Sequence, residues 1–222
     1  MPSASSGHPR LQRVDHPLLK VQLTRLRDHR TPAADFREAL DIAAGFLVSA
    51  ALADLETIAQ PVETPLQEAT GYALSKPLAL VPILRAGLGM LSAALRVAPD
   101  ATVWHLGLYR DEASLQPVTY YSKIGQANLS DSTVLVLDPM LATAGSALAA
   151  LDLLQQAGAR DLHLAALVAA PEGLASLAAR FPTVSVTVAA VDERLSGDGD
   201  PWPAGYIMPG LGDAGDRQFG TT

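Results

Sequence analysis

The chain has 222 residues, no cysteine and a formal net charge of −7. The lack of cysteine excludes disulfides, thiolate zinc clusters and cysteine nucleophiles, and the acidic balance disfavours a broad nucleic-acid interface, which needs clustered Lys and Arg. No apolar run approaches the roughly 20 residues that span a bilayer, and the N-terminus lacks the apolar stretch of a signal peptide. We therefore expect one domain, residues 1–222, in a soluble, cytoplasmic protein with no membrane or nucleic-acid partner.

The N-terminal third predicts a tail, two helices and a hairpin. Residues 1–14 are mostly small and polar, which is typical of a flexible tail. Residues 60–77 mix polar residues with Pro and Gly and predict a loop or short hairpin. Between them, two stretches repeat apolar residues at helical spacing: Leu19, Leu23 and Leu26 in the first, and Phe36, Leu40, Ala43, Leu47 and Ala50 in the second.

From residue 77 onward, apolar strands alternate with helices. The last strand alternates Val184, Val186 and Val188 with Ser and Thr, as an edge or half-exposed strand does. The repeated strand and helix unit predicts an α/β fold, with a mostly parallel twisted sheet and helices on both faces. The predicted strands cover residues 77–84, 102–109, 132–138, 162–170 and 183–191, and predicted helices cover 88–97, the stretch before Gly158 and the stretch from Pro171.

Ligands of such sheets bind at the carboxyl ends of the strands, where the segment "VLVLDPMLATAGSA" is the first candidate. Asp138 closes a buried strand, and Thr143 to Ser146 form a tight turn at the start of the next helix. Free backbone N–H groups and the positive end of a helix dipole make such a turn an anion site. An ordinary helix cap by Thr143 or Ser146 explains the same pattern, and the absent GK[ST] excludes a nucleoside triphosphatase loop.

Two arginines stand at further strand ends. Arg85 follows "LVPIL" and Arg110 follows "HLGLY". The guanidinium group offers a rigid fork for phosphate oxygens, although a purely structural arginine fits each position equally well. With the phosphate turn, the two arginines indicate a ligand that carries phosphate groups at both ends.

The C-terminal "PGLGDAGD" spells GxGxxG through Gly210, Gly212 and Gly215. A dinucleotide site needs a following helix, a second strand and an acidic residue about 20 positions on. Only seven residues follow Gly215, so a dinucleotide fold is excluded. Taken alone, the segment is also compatible with a glycine-rich surface tail.

Five segments together resemble uracil phosphoribosyltransferases, and the resemblance runs from about residue 14 to the end of the chain. They are "VPILRAGLGM", "LYRDEASLQPVTYYSK", "LDPMLATAGSA", "LVAAPEG" and "GYIMPGLGDAGDRQFGT", and "HPLLKVQLTRLRD" is similar to the family's N-terminal helix. The resemblance implies a type I phosphoribosyltransferase fold with N-terminal helices and a uracil-binding hood at residues 192–222. It also implies the conversion of uracil and phosphoribosyl pyrophosphate (PRPP) to UMP and diphosphate in pyrimidine salvage.

The resemblance further assigns roles to individual residues. Asp138, Arg85 and Arg110 would be catalytic, and Mg²⁺ would arrive on the diphosphate of PRPP, without a dedicated protein metal site. Backbone groups can read the donor and acceptor pattern of uracil. The implied PRPP-binding residues are Arg85, Arg110, Asp138, Pro139, Met140, Leu141, Ala142, Thr143, Ala144, Gly145, Ser146 and Asp213, and the implied uracil-binding residues are Ile207, Gly212, Asp213 and Ala214.

Other expectations concern partners and departures from the family. We expect a homodimer or higher homo-oligomer and consider GTP as an effector. The alternatives are a regulator on the same fold that binds RNA or nucleotides, and a phosphoribosyltransferase for another base. Ala144 stands where relatives carry glycine; because a left-handed alanine costs ~1–2 kcal/mol, we predict a negative φ there. The segment 195–204 is longer than is usual in the family, and we predict that it forms a surface loop near the pocket.

Overall fold

A nine-stranded sheet lies at the centre of the protein, in a computed structural model that describes residues 8–110 and 117–221. The strands in this part of the chain are β1 (Leu11–Arg13), β2 (Thr57–Glu63), β3 (Glu68–Leu74), β4 (Leu78–Leu84), β5 (Thr102–Val103), β6 (Leu106–Arg110), β7 (Pro117–Ser122), β8 (Thr133–Leu137), β9 (Met140–Leu141), β10 (Asp161–Ala169), β11 (Ser185–Val191), β12 (Arg194–Leu195) and β13 (Ile207–Met208). The α-helices are α1 (Pro17–Arg27), α2 (Ala33–Ala51), α3 (Leu88–Val97), α4 (Gly145–Gln156), α5 (Pro171–Arg180) and α6 (Ala214–Phe219).

The sheet is parallel except at one edge. Its order is β1-β11-β10-β8-β4-β6-β7, with β5 added to β4 and β9 added to β10. Only β7 runs antiparallel to its neighbour, β6. The predicted mostly parallel α/β sheet is therefore confirmed, and β8 lies in its middle between β10 and β4.

Helices cover both faces of the sheet, and the side chains of β8, which point alternately to the two faces, pack against them. Val134 and Val136 belong to a core cluster with α4 and α5, whereas Leu135 and Leu137 belong to a second cluster with α1, α2 and α3. All four side chains are fully buried. A strand buried on both faces carries a continuous apolar run, which explains why "TVLVL" has no polar alternation.

The edge of the sheet differs from the prediction. β1 pairs in parallel with β11, so β11 is an interior strand and Val184, Val186 and Val188 are all buried. The flexible tail predicted for residues 1–14 is therefore wrong at Leu11–Arg13, while residues 1–7 lie outside the described residues. Backbone pairing to β11 stabilises these three residues, whose side chains carry no strand pattern of their own.

Two smaller hairpins lie outside the main sheet. β2 and β3 form a regular antiparallel hairpin, which confirms the predicted hairpin and extends it to seven residues on each side. β12 and β13 form the second hairpin, and α6 follows it at the C-terminal end. None of the helices in the described ranges is long and apolar enough to span a membrane.

Candidate active site

Three predicted site residues stand at the carboxyl ends of adjacent strands. Asp138 follows β8, Arg85 follows β4 and Arg110 is the last residue of β6. Because β4 lies between β8 and β6, the three segments leave the same edge of the sheet side by side. The side chain of Arg110 and residues 111–116 are outside the described part of the chain, so its contact with diphosphate stays a prediction.

A small hollow of about 70 Å³ lies at the start of α4. The first turn of a helix leaves backbone N–H groups without helical acceptors, and its dipole favours an anion there. Pro139 does not line the hollow; it is buried, and its carbonyl accepts the N–H groups of Leu167 and Val168 at 2.9 and 3.2 Å. The lining residues are Asp138, Met140, Leu141, Ala142, Thr143, Ala144, Gly145, Ser146 and Ala147.

The backbone at Ala144 overturns one expectation. Its φ is 67° and its ψ is 4°, which places it in the left-handed region, so the predicted negative φ is wrong. Ala144 is the N-cap of α4, and its carbonyl accepts the N–H of Leu148 at 2.8 Å. The turn from β9 into α4 needs this conformation, and the protein tolerates the strain of about 1–2 kcal/mol that a Cβ brings there.

Asp138 is the one carboxyl group of this hollow, and its electrostatic state is unusual. It keeps some exposure to the hollow, yet the surrounding protein removes most of its hydration. This loss of hydration, reinforced by the negative charge of Asp213, raises the pKa of Asp138 to about 7. A long hydrogen bond of 3.5 Å from the Met140 N–H opposes the rise without cancelling it.

A second hollow, of about 180 Å³, lies beside the first and shares Met140 and Ala142 with it. Three residues predicted to bind uracil line this hollow, namely Ile207, Gly212 and Asp213, whereas Ala214 is fully buried and does not. The remaining lining residues, Gly205, Tyr206 and Leu211, escaped the sequence analysis. All three lie within the quoted "GYIMPGLGDAGDRQFGT", so an aromatic residue beside a glycine-rich turn was the available signal.

Arg85 is connected to the second hollow through α6. Its Nη2 donates to Asp216 Oδ1 at 2.9 Å, and about half of the Arg85 side chain remains exposed. Hydrogen bonds from Thr221 and Arg85 hold the pKa of Asp216 below its ordinary value. Asp213 caps the same helix by accepting the Asp216 N–H at 2.9 Å. One short helix therefore links the predicted diphosphate arginine to a lining residue of the second hollow.

The glycine-rich segment has a structural explanation. Gly210 has a φ of +62°, and a Cβ there would lie 2.1 Å from the Ile207 carbonyl oxygen. Gly212 lines the second hollow directly, while Gly215 is part of α6. The three glycines of GxGxxG therefore serve a tight turn and a helix start, and no Rossmann strand follows them in the described residues.

The long loop before Ile207 is tied down by its own hydrogen bonds. Arg194 and Asp200 form a two-bond ion pair at 2.6 and 2.8 Å across its base. The buried Ser196 hydroxyl donates to the Pro203 carbonyl at 2.6 Å and accepts the Tyr206 N–H at 2.8 Å. The predicted surface loop is confirmed, and Tyr206 brings its end to the second hollow.

A larger hollow lies elsewhere on the described residues. It measures about 900 Å³, is open to solvent, and lies between the β2–β3 hairpin and the ends of α2 and α3. It contains none of the residues predicted to bind a substrate. Within the described ranges, no cluster of three or more His, Asp or Glu side chains forms a metal site.

Comparisons with known proteins cover almost the whole chain. The family model described as "Uracil phosphoribosyltransferase" matches residues 13–221. The uracil phosphoribosyltransferase of Thermus thermophilus is 49% identical, over 96% of this chain and 99% of that protein. The enzyme of the same description from Salinibacter ruber is 47% identical, over 94% of this chain and 96% of that protein.

Solved structures agree with this fold. The AQ2163 protein of Aquifex aeolicus is similar with a TM-score of 0.88 and 36% identity, over 96% of this chain and 99% of that one. The adenine phosphoribosyltransferase of Leishmania donovani is similar with a TM-score of 0.56 and 16% identity, over 88% of this chain and 91% of that one. The second similarity concerns the fold alone.

Proposed function

The chain belongs to the uracil phosphoribosyltransferase family, and on that premise we propose how its residues share the reaction. The activity is that of a pentosyltransferase of nucleotide salvage, which joins uracil to the phosphoribosyl group of PRPP and forms UMP and diphosphate. The observation that carries the proposed division is the pair of neighbouring hollows that share Met140 and Ala142. The small hollow at the start of α4 suits the 5′-phosphate and is named the phosphate hollow, and the second hollow suits the base and is named the base hollow.

The phosphate end of PRPP would bind at the turn from Thr143 to Ser146. The first turn of α4 offers backbone N–H groups, and Ala144 directs them in its left-handed conformation. A phosphate dianion there is stabilised by the helix dipole and by direct N–H donors. No lysine lines this hollow, so backbone N–H groups would be the donors to the phosphate.

The ribose would lie between the two hollows, within reach of Asp138 and Asp213. The Asp138 carboxyl group would accept hydrogen bonds from ribose hydroxyls and orient C1′ toward the base. Mg²⁺ would enter on the diphosphate, and carboxylate oxygens are the ligands that it prefers. When bound, the ion would neutralise charge on the leaving diphosphate.

The transfer breaks the bond between C1′ and the diphosphate oxygen and forms a bond between C1′ and N1 of uracil, and the N1 proton would pass to the departing diphosphate. Positive charge develops at C1′ while negative charge develops on diphosphate. Arg85 and Arg110, at neighbouring strand ends, would stabilise the leaving diphosphate. In the free protein Asp216 holds the Arg85 guanidinium, so diphosphate would replace or share this carboxylate partner.

The base would bind in the second hollow against Ile207, Gly212 and Asp213. Uracil presents two carbonyl acceptors beside an N–H donor, and backbone groups of this segment can match that pattern. Cytosine inverts part of the pattern and would leave buried backbone groups unpaired. Such mismatches can lower kcat/KM by roughly 10⁴-fold.

The direct test is product formation. The protein is incubated with PRPP, Mg²⁺ and either uracil, cytosine or hypoxanthine, and the nucleotide monophosphate is quantified by chromatography. We expect UMP from uracil and no product from the other two bases. Folded protein that forms no UMP would contradict the proposed function, and RNA retention at moderate salt would then test the regulator, which the comparisons do not favour.

Further properties expected from the family complete the proposal. A homodimer agrees with the exposed apolar side chains of the β2–β3 hairpin, among which Ile58 is 54% and Tyr72 is 69% exposed. Sedimentation would measure the oligomeric state, and assays with and without GTP would test activation. A cytoplasmic location, expected for a salvage enzyme that uses PRPP, is testable by cell fractionation.

A further inference from the structure

Two arginines connect the last turn of α1 with the glycine-rich segment, one from each side. Arg27, on α1, reaches Gly210, which is 183 residues further along the chain. In return Arg217, on α6, reaches backbone carbonyl groups at the end of α1. We name Arg27, Asp192 and Arg217 the arginine clasp.

The first half of the clasp fixes both backbone polar groups of Gly210. The Gly210 N–H donates to Asp192 Oδ2 at 2.9 Å, and the Gly210 carbonyl accepts Arg27 Nη1 at 2.7 Å. The same Nη1 donates to Asp192 Oδ2 at 2.9 Å, and Nη2 donates to Oδ1. The Asp192 side chain is only 4% exposed, so this carboxylate depends on these partners.

The second half of the clasp is Arg217, which holds Leu211, the residue after Gly210. Arg217 Nη1 donates to the Leu211 carbonyl at 2.8 Å and also to the Leu26 carbonyl, while Nη2 donates to the Asp28 carbonyl at 2.6 Å. The guanidinium group lies 4.4 Å from the centre of the Phe36 ring, within cation–π distance. Backbone residues 210 and 211 are therefore held by two arginines at once.

The position of these two residues explains what the clasp controls. Leu211 lines the base hollow, and Gly210 lies between two other lining residues, Ile207 and Gly212. None of the three clasp side chains lines either hollow. Buried ion pairs contribute little net stability, and their best-attested role is to fix the register of the elements that they join.

We propose that Arg27, Asp192 and Arg217 are positioning residues that set the affinity for uracil without contacting it. This inference rests on the proposed function and adds base-site residues that lie outside the pocket. The clasp holds the backbone donors and acceptors of residues 207–212 where uracil can pair with them. Loss of the clasp weakens binding of the base and leaves the phosphate turn unchanged.

The test compares Arg27→Met, Arg27→Lys and Asp192→Asn with the wild-type enzyme in steady-state assays. Met keeps an unbranched apolar stem and removes the donors, whereas Lys keeps the charge but cannot bridge carboxylate and carbonyl in the same way. We expect the KM for uracil to rise about 10- to 100-fold in Arg27→Met and less in Arg27→Lys. The KM for PRPP should stay within about twofold, which distinguishes positioning from general loosening.

Arg30→Met is the matched control. Arg30 forms a two-bond ion pair with Asp28 at 3.0 and 2.8 Å, but its side chain is 78% exposed and does not line the base hollow. Its removal changes the net charge in the same way as Arg27→Met and should leave both KM values unchanged. The double variant Arg27→Met with Asp192→Asn should resemble the worse single variant, because both act through one network.

A failure of the clasp proposal can be distinguished from a failure of the proposed function. If the wild-type enzyme forms UMP and the clasp variants match it in the KM for uracil, or raise both KM values equally, the clasp proposal is wrong. If the wild-type protein forms no UMP and binds no UMP in titration calorimetry, both the proposed function and the clasp fall.

Discussion

The two hollows of the proposed active site are built in different ways. The phosphate hollow is made by one continuous stretch, residues 138–147, between the central strand β8 and α4. The base hollow draws its walls from that stretch and from residues 205–213, which distant side chains hold in place. A binding site made by consecutive residues is fixed by local backbone geometry, whereas one made by a C-terminal segment depends on contacts across the chain.

The largest expected effect is a loss of catalytic rate rather than of binding in either hollow. Arg85→Ala should lower kcat about 10²- to 10³-fold, because one preorganised contact to the leaving diphosphate is lost. Steady-state rates at saturating uracil and PRPP measure this effect. Arg180→Ala, which removes a surface ion pair with Asp152, is the control and should change kcat less than twofold. Near wild-type turnover in Arg85→Ala would refute the role assigned to Arg85.

The next effect tests the base segment alone. Gly210→Ala adds a Cβ within 2.1 Å of the Ile207 carbonyl oxygen at a positive φ, so the backbone must move. We expect a stability loss of roughly 1–3 kcal/mol and a KM for uracil raised at least tenfold. Urea unfolding and uracil saturation curves measure the two quantities.

The control for that variant is Gly197→Ala. Gly197 lies in the loop before the base hollow, and a Cβ there would meet nothing within 4 Å. It should leave both stability and the KM for uracil nearly unchanged. Equal effects from Gly197→Ala and Gly210→Ala would mean that loop flexibility, and not the Gly210 turn, controls the base site.

A pH-dependent effect tests the phosphate side. Burial raises the pKa of Asp138 to about 7, above its ordinary value, so the folded protein binds more protons than the unfolded chain between about pH 4 and 7. The ionised carboxylate therefore costs stability that is fully felt above pH 7 and vanishes at acidic pH. Asp138→Asn should stabilise the free protein on the order of 1 kcal/mol or more at pH 8 and little at pH 4.

Urea unfolding of the wild-type protein and Asp138→Asn at pH 4 and pH 8 measures this difference. Asp131→Asn, at an exposed position on the turn before β8, controls for the loss of one negative charge. A stability gain that is the same at both pH values would show that Asp138 has an ordinary pKa.

The smallest effect concerns the strained turn. Ala144→Gly removes the Cβ at a φ of 67°, which relieves strain, while the added freedom of glycine in the unfolded chain opposes the gain. We expect a net stabilisation of about 0.5–1 kcal/mol in urea unfolding. Ala142→Gly, at a position without positive φ, should instead destabilise the protein. A loss of stability in Ala144→Gly would mean that packing of the buried methyl group outweighs the backbone strain.

The sequence predicted the sheet and the turn at the start of α4, because both follow from consecutive residues. That this turn binds phosphate stays a prediction. A buried apolar strand, an aspartate and a small-residue turn before a helix are visible as one string. The left-handed Ala144 was missed because alanine disfavours that conformation, although the glycine that relatives carry at this position was a sign of the turn that requires it. β1 was missed because three residues without a strand pattern form a strand only when β11 pairs with them.

The base hollow was only partly predictable. The family resemblance pointed to Ile207, Gly212 and Asp213, which line this hollow, but it gave no role to the residues that hold the segment in place. Arg27 and Asp192 are 165 positions apart, and nothing in either local sequence indicates the other. Long-range pairs of this kind depend on the folded topology, in which the end of α1 meets the glycine-rich segment.

The central claim is that consecutive residues bind the phosphate and a separately held segment binds the base. Hydrogen–deuterium exchange with ribose 5-phosphate and with UMP tests it most directly. We predict that ribose 5-phosphate slows exchange in residues 138–147 and not in residues 205–212, and that UMP slows exchange in both stretches. Protection of residues 205–212 by ribose 5-phosphate, or no added protection there by UMP, would contradict the division of the site.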